Sequence, residues 1–257
     1  RAGSSPFRIV GTDAVIFQLR QPNGRVLALR CSLSDTLDPT FLDRYRALAT
    51  DPALAQIRDV GNGPVLRQIT PVRDGIIVTD SSGAETIWPL LVMEWVFGPT
   101  LITAVDRASL AGDHAYLAQL AEHWASVAES LDQVGFRHGD LTADNVMVRP
   151  GAELVLVDYD TAVWPGSPAA LAPRGTPGYA HPRGESVPVS QRDDFAALVL
   201  YTSLRALADH PDLRSYYGEP AVKPGAAILF TNWDLANPDS SRLFRQLQRT
   251  VSDPKTA

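Results

Sequence analysis

The sequence predicts an α+β fold, in which a β-rich first part with one helix precedes a larger, mainly helical part. Short strand-like runs, one pair of them joined by the hairpin signal Asn23-Gly24, occupy the chain up to residue 97. Apolar residues at helical spacing dominate after that point. The turn-forming segment Phe97-Gly98-Pro99 marks the junction. We therefore expect two lobes, residues 1–97 and residues 98–257.

The elements of the first part follow from strand patterns and one amphipathic stripe. Strands are predicted at residues 7–10, 14–20, 25–30, 75–79 and 86–95. Between the third and the fourth strand, Asp38 can cap a helix, and Pro39 suits its first position. An apolar stripe then runs from Phe41 to Ala49. The first part is therefore expected to be a sheet accompanied by a single helix.

Helices and one hairpin make up the second part. Asp113 can cap a long helix whose apolar residues recur at helical spacing as far as Gly135, which is a natural C-terminal cap. A hairpin is predicted over residues 145–157 because two apolar runs flank a Pro-Gly turn. The run 195–207 is apolar nearly all round, which predicts a helix buried at the centre of this part.

Composition limits the classes of function. The 257 residues carry a net charge of −6, which disfavours nucleic-acid binding through this domain. Cys31 is the single cysteine, so an internal disulfide framework and a cysteine-rich zinc module are excluded. A lone cysteine also fits a reducing compartment, and we expect a cytoplasmic protein. No run reaches the ~18 apolar residues of a membrane span, so no membrane segment is expected.

The clearest chemistry lies in His138-Gly139-Asp140, which is followed by Asn145 and, at the end of the next hairpin, by Asp158. Because a hairpin brings its two ends together, Asn145 and Asp158 can share one metal ion. Oxygen ligands of this type suit Mg²⁺, which proteins usually hold with few carboxylates together with substrate phosphates. Asp140 would then stand beside the metal as a base that orients a hydroxyl nucleophile.

This pattern resembles the catalytic loop His-Arg-Asp-x-x-x-x-Asn and the metal-binding Asp-Phe-Gly of the protein kinase superfamily. The second motif reads Asp158-Tyr159-Asp160 in this chain. Three further segments resemble kinase elements in the same order: 93–98 (the hinge), 175–182 (the substrate-docking segment) and 193–198 (the start of the buried F helix, with Asp193 as its anchoring acid). The resemblance covers roughly residues 7–210. The particular residues of these motifs resemble those of a divergent bacterial branch of Ser/Thr kinases.

The resemblance implies a two-lobed protein-kinase-like fold that uses ATP and Mg²⁺ to phosphorylate Ser or Thr in a protein. Asp140 would orient the nucleophile, while Asn145 and Asp158 would hold Mg²⁺. Thr176 is a candidate to contact Asp140, as in Ser/Thr kinases. The identity of the protein acceptor or partner stays open.

The resemblance also implies where ATP would be bound. The backbone of Glu94 and Val96 in the hinge would meet adenine. Arg30, at the end of the third strand, would neutralise phosphate charge, and Gly11 is what remains of the glycine-rich loop. Because Ile16 stands near where another glycine belongs, the cradling of the phosphates by backbone amides is expected to be weaker.

Two departures concern the cation that faces the phosphates. Arg30 replaces the usual lysine, and its planar fork has a different reach and shape. No glutamate occurs between Cys31 and Ala84, so the partner acid that helix C usually supplies is missing. Asp43 is a candidate substitute, although it falls opposite the apolar stripe of its helix.

These departures leave two alternatives to a protein kinase. One is a pseudokinase that binds nucleotide or a partner without transferring phosphate, which the degraded glycine loop, Arg30 and the missing glutamate favour. The other is a small-molecule phosphotransferase of the aminoglycoside-kinase type, because those enzymes also use a His-Gly-Asp loop like that of 138–140. The segment 175–182 favours peptide docking over the second alternative.

Overall fold

A computed structural model of the chain describes residues 7–11, 14–33, 40–58, 65–168, 175–182, 184 and 187–251. The predicted α+β class is confirmed, since one five-stranded antiparallel sheet is combined with several helices. Asp38 and Pro39, predicted to begin the helix of the first part, lie outside the described residues. Among the described residues, no helix is long and apolar enough to cross a membrane.

The sheet belongs to the first part of the chain, and its strands have the order β1-β2-β3-β5-β4. Their bounds are β1 (Arg8–Val10), β2 (Ala14–Arg20), β3 (Val26–Ser32), β4 (Ile69–Thr79) and β5 (Glu85–Glu94). The strand β4 begins earlier than predicted because its pairing with β5 continues through a register shift between Val72 and Ile76. Gly75 lies within this shift and in contact with Leu90, where a Cβ atom would come within 2.5 Å of Leu90 Cγ.

The helix of the first part, α1 (Phe41–Thr50), packs on β4 and is followed by a 3₁₀ helix (Pro52–Arg58). The side chains of Leu42, Tyr45 and Leu48 face the core, as the spacing of about 3.6 residues per turn predicts. This packing fixes the orientation of α1. The helix also faces the third strand and the second part of the chain.

The second part is mainly helical. Its elements are α2 (Leu101–Ala111), α3 (His114–Gln133), β6 (Val146–Arg149), β7 (Glu153–Leu156), α4 (Arg192–Asp209), α5 (Leu213–Tyr217), α6 (Asn232–Ala236) and α7 (Arg242–Val251). Asp113 caps α3 by accepting a hydrogen bond from the backbone of Tyr116 at 3.0 Å. The hairpin of β6 and β7 occupies the predicted place, whereas α2 was not predicted from the sequence.

The prediction that residues 195–207 form a helix buried at the centre of this part holds for one face of the helix but not for the other. The helix exists as part of α4, and it packs on α3, where the indole of Trp124 donates to Ala197 O at 3.0 Å. Leu198 and Tyr201, however, are 59% and 39% exposed. The described part of the chain covers one face of α4 and leaves this opposite stripe in contact with solvent.

The connection at Gly98 and Pro99 joins the two parts in close contact with β6. A Cβ atom on Gly98 would come within 2.0 Å of Val148 O, and the φ angle of Gly98 is +144°, so this position requires glycine. Val148 N donates to Pro99 O at 2.8 Å. The end of β5 and the β6–β7 hairpin are thereby held next to each other.

Candidate active site

The segment His138-Gly139-Asp140 is held from below by α4. Asp193, in the first turn of α4, accepts hydrogen bonds from the backbone N–H groups of both His138 and Gly139. The ring Nε2 of His138 lies 2.8 Å from Val157 O, so the fully buried imidazole links this segment to the end of the β6–β7 hairpin. His138 is therefore a structural residue beneath the loop.

Asp140 is oriented from two sides. Asn145 Nδ2 donates to Asp140 O at 2.8 Å and approaches Asp140 Oδ2 at 3.4 Å. Thr176 Oγ1 donates to the other carboxylate oxygen, Oδ1, at 2.7 Å. Asp140 therefore accepts hydrogen bonds from both neighbours, and these donors fix the direction of its carboxylate oxygens. A base beside a hydroxyl nucleophile needs such an arrangement.

The hairpin brings Asp158 next to Asn145, as its strand pairing requires. Val157 N donates to Asn145 O at 3.0 Å, one residue before Asp158. Asp158 itself has a φ angle of +65°, which turns the chain away from the strand direction. About half of its side chain remains exposed, so a ligand can reach the carboxylate.

Arg30 joins this group from the sheet. Its Nη2 lies 3.6 Å from Asp158 Oδ1 and forms a closer ion pair with Asp160. The expectation that Asp43 replaces the missing helix glutamate is therefore wrong. Asp43 lies on the solvent side of α1 and pairs with Arg46 at 2.5 Å, because its position on the helix points it away from the sheet.

Sequence reasoning missed two residues that surround Arg30. Asp160, which stands where the motif Asp-Phe-Gly has its glycine, is the partner of Arg30. Tyr45, which lies within the apolar stripe of α1, donates its hydroxyl to the same Asp160 carboxylate. The ring of Phe41, one turn earlier on α1, lies 5.8 Å from the Arg30 guanidinium carbon, within cation–π range.

The charges in this site influence each other. Burial and, after it, repulsion from Asp160 raise the pKa of Asp158, although Arg30 acts in the opposite direction. Burial alone would lower the pKa of Arg30, but attraction to Asp160 and Asp158 outweighs burial and raises it. Two carboxylates therefore share one permanent cation, and the group as a whole favours a further positive charge.

Asn145 and Asp158 offer oxygen donors of the type that Mg²⁺ prefers. Because the amide nitrogen of Asn145 donates to Asp140, the atom of this side chain that could bind a cation is its oxygen. The half-exposed carboxylate of Asp158 supplies a second oxygen donor. Among the described residues, no group of three or more His, Cys, Asp or Glu side chains could hold a metal ion. Proteins usually hold Mg²⁺ with one or two carboxylates together with waters and substrate phosphates.

The other predicted ATP contacts lie in the connections around the sheet. Gly11 directly follows β1, and its N–H donates to Ala14 O at 2.9 Å. Glu94 ends β5, and its side chain lies 3.4 Å from Arg67. Val96 follows in the connection to α2 and is partly buried. Within the part of the chain that the structure describes, no hydrogen bond or ion pair joins Gly11, Glu94 or Val96 to Asp140, Asn145 or Asp158.

A segment after α5 covers the side of the loop next to Thr176. Gly225 N donates to the carboxylate of Asp144 at 2.8 Å, and a Cβ atom on Gly225 would come within 2.6 Å of Thr176 Cγ2. Burial, with repulsion from Asp140, raises the pKa of Asp144. The sequence offered no signal for this contact, because it joins residues far apart along the chain.

No protein-family model matches the chain, and no curated protein matches it significantly. A functional proposal therefore depends on the arrangement of Arg30, Asp140, Asn145 and Asp158.

Proposed function

We propose that this protein is an ATP- and Mg²⁺-dependent phosphotransferase of the protein-kinase type, which transfers the γ-phosphoryl group to Ser or Thr hydroxyls of a protein. The observation that carries the proposal is the convergence of four side chains from distant parts of the sequence. Asp140 contacts Asn145, the hairpin brings Asp158 beside Asn145, and Arg30 reaches Asp158 at 3.6 Å. The strand order β1-β2-β3-β5-β4 and the helix α1 between β3 and β4 also suit the N-lobe of such a fold.

The chain's own residues would act mainly by positioning and electrostatics, as phosphoryl transfer requires. Asp140 orients the acceptor hydroxyl and takes up its proton at a carboxylate oxygen. Asn145 and Asp158 hold Mg²⁺, which supplies charge neutralisation for the phosphates when it is bound. Arg30, which is only 8% exposed, adds a fixed positive charge in a region where water screens it weakly.

Two contacts favour a Ser or Thr hydroxyl in a polypeptide as the acceptor. Thr176 donates to Asp140 at 2.7 Å, which ties the predicted substrate-docking segment to the proposed base. Tyr179, in the same segment, is buried and donates to Ala226 O at 2.8 Å. These two contacts hold the segment in place at Thr176 and at Tyr179. It can therefore present a stable edge to an extended peptide.

A pseudokinase is the second candidate, because the cation proposed to face phosphate is already paired. Arg30 is bound to Asp160 and lies close to Asp158. If ATP phosphates cannot compete with these carboxylates, nucleotide would bind weakly or not at all. Binding and transfer therefore have to be measured separately.

The test combines calorimetric titration of nucleotide with transfer of label from γ-labelled ATP. Wild type, Asp158→Asn and the control Asp209→Asn, on the exposed end of α4, are titrated with ATP in the presence of Mg²⁺ or of a chelator. We expect wild type and Asp209→Asn to bind Mg·ATP alike, and Asp158→Asn to bind it about ten-fold or more weakly. A chelator should weaken binding to wild type.

Label is then followed into a library of Ser/Thr peptides and a panel of aminoglycosides. Transfer to peptides, lost in Asp140→Ala and Asp158→Ala, supports the proposal. Transfer confined to aminoglycosides, Mg·ATP binding with no transfer, or equal labelling by all variants would each overturn it, the second result in favour of the pseudokinase.

A further inference from the structure

We propose that Tyr45 of α1 positions Arg30 through Asp160, so that a tyrosine–aspartate–arginine relay takes over the task of a direct acid–base pair between α1 and β3. The inference rests on the proposed function, because it assigns the residues that align Arg30 with ATP phosphates. Tyr45 and Asp160 are positioning residues and not catalytic ones, since they act on Arg30 and not on the reacting atoms.

The first step is that Asp160 uses one carboxylate oxygen for each partner. Its Oδ2 atom pairs with Arg30 Nη2, and its Oδ1 atom accepts the hydroxyl of Tyr45. Tyr45 is 4% and Arg30 is 8% exposed, whereas 32% of the Asp160 side chain is exposed, so the two partners of Asp160 are the groups removed from water. Because the tyrosine is a neutral donor, it fixes the carboxylate without consuming the charge that holds Arg30.

The second step is that α1 offers no acid of its own to Arg30. The nearest candidate, Asp43, keeps 56% of its side chain exposed and pairs with Arg46. Phe41 and Tyr45 lie one helical turn apart on the side that faces Arg30, and they present a ring face and a hydroxyl. The acid comes instead from the segment that begins at Asp158, and α1 contributes the group that orients it.

The third step is that α1 is tied to this same segment at two more points. Arg44 Nη2 donates to Ala162 O at 2.9 Å, and the indole of Trp164 donates to Asp51 Oδ2 at 2.8 Å. The residues 158–164 and α1 are therefore joined along the length of the helix. Of these contacts, the one made by Tyr45 also reaches Arg30, through Asp160. The position of α1 along the segment 158–164 therefore decides where the guanidinium lies.

The relay leaves Arg30 able to meet a phosphate. Both of its ion pairs use Nη2, and a guanidinium carries further N–H donors in a fixed planar fork. Without the Tyr45 hydroxyl, the Asp160 carboxylate can turn, and Arg30 is free to move toward Asp158. Such a movement would place the cation against the carboxylate that the proposed function assigns to Mg²⁺.

The first test measures Mg·ATP affinity and transfer in Tyr45→Phe and Asp160→Asn, with Tyr201→Phe on the exposed face of α4 as the matched control. We expect Tyr45→Phe to weaken Mg·ATP binding by about ten-fold, Asp160→Asn by more, and Tyr201→Phe to behave as wild type. A rescue variant combines Tyr45→Glu with Asp160→Gly, which brings a carboxylate to Arg30 directly from α1, and should recover part of the affinity. Wild-type affinity in Tyr45→Phe would overturn the inference.

The second test needs no nucleotide and so separates the relay from the proposed function. A double-mutant cycle of Tyr45→Phe and Arg30→Gln is measured by urea unfolding, in the wild-type chain and with Asp160→Asn added. We expect the two changes to be coupled by a factor of about five to ten in the unfolding constant, and the coupling to vanish with Asp160→Asn. Additive effects in the wild-type chain would refute the relay even if Mg·ATP binds, whereas coupling without nucleotide binding would refute only the proposed function.

Discussion

Asp193 accepts a hydrogen bond from the backbone N–H of Gly139 at 3.0 Å, from a position at the start of α4 that is buried beneath the loop. The same carboxylate also accepts from the backbone of His138. One helix terminus therefore holds the loop that carries Asp140.

Asp193→Asn should destabilise the protein, because an amide can accept only with its oxygen and presents N–H groups where the second backbone donor lies. We expect a loss of about 1–3 kcal/mol in the free energy of unfolding, measured by urea denaturation. The matched control is Asp194→Asn, since the neighbouring side chain is 58% exposed and lies 3.8 Å from Arg137. Equal stabilities of the two variants would mean that the buried carboxylate does not hold the loop.

Gly139→Ala should be more harmful than the same change at Gly112. Both glycines have positive φ angles, +84° and +64°, so alanine is strained at each. At Gly139 a Cβ atom would also come within 2.6 Å of Thr161 O, whereas at Gly112 nothing lies within 4 Å. We expect Gly112→Ala to cost about 1 kcal/mol and Gly139→Ala about 1–3 kcal/mol more in thermal unfolding. A cost at Gly139 no larger than at Gly112 would contradict this contact.

Thr176→Val should lower turnover while leaving the KM for ATP nearly unchanged. The substitution keeps the shape of the side chain and removes the hydroxyl that donates to Asp140 at 2.7 Å. We expect kcat to fall by about ten-fold, which corresponds to the loss of one hydrogen bond to a charged group, and Thr176→Ser to restore most of it. Steady-state kinetics with γ-labelled ATP measure both constants. A change in KM alone would instead place Thr176 in nucleotide binding.

Glu219→Gln should destabilise the protein at neutral pH but not in acid. Burial raises the pKa of Glu219, yet its bonds to Lys223 and to the backbone of Ala227 outweigh burial and lower it below the ordinary 4.5. A lowered pKa means that the ionised form stabilises the folded state above that value, and that this contribution is lost as the pH falls through the folded-state pKa.

Urea unfolding of wild type and Glu219→Gln as a function of pH measures this contribution. At pH 7 we expect a difference of about 1 kcal/mol, which should shrink steadily below about pH 4.5. A difference that does not vary with pH would mean that the carboxylate charge plays no part in holding the segment that carries Gly225.

The sequence was sufficient to find the group at Asp140, Asn145 and Asp158, because it lies within one loop and one hairpin. Local patterns fix such short-range geometry, since the strands of a hairpin must pair. The helix α2 was missed even though Thr100 caps it and Gly112 follows it in the left-handed conformation, so in this case the signals were present and not used.

The partner of Arg30 could not be found in the same way. Helical periodicity tells which face of α1 is apolar, and it correctly turned Asp43 away from the sheet, but it says nothing about which distant carboxylate approaches that face. Asp160 lies 130 residues from Arg30, and Tyr45 has an apolar ring that fits the core pattern. Only the packing of α1 against the segment after Asp158 reveals that its hydroxyl is used.

The most direct test of the proposed phosphotransfer compares Mg·ATP affinity and phosphoryl transfer in wild type and Asp140→Asn. The substitution retains the size of the side chain and the acceptor for Thr176, but it removes the carboxylate that would take up the hydroxyl proton. We predict that affinity for Mg·ATP stays within about two-fold while transfer to a Ser/Thr peptide falls by about 10²–10⁴-fold. Equal transfer by the two proteins would contradict the assignment of Asp140 and, with it, the proposed mechanism.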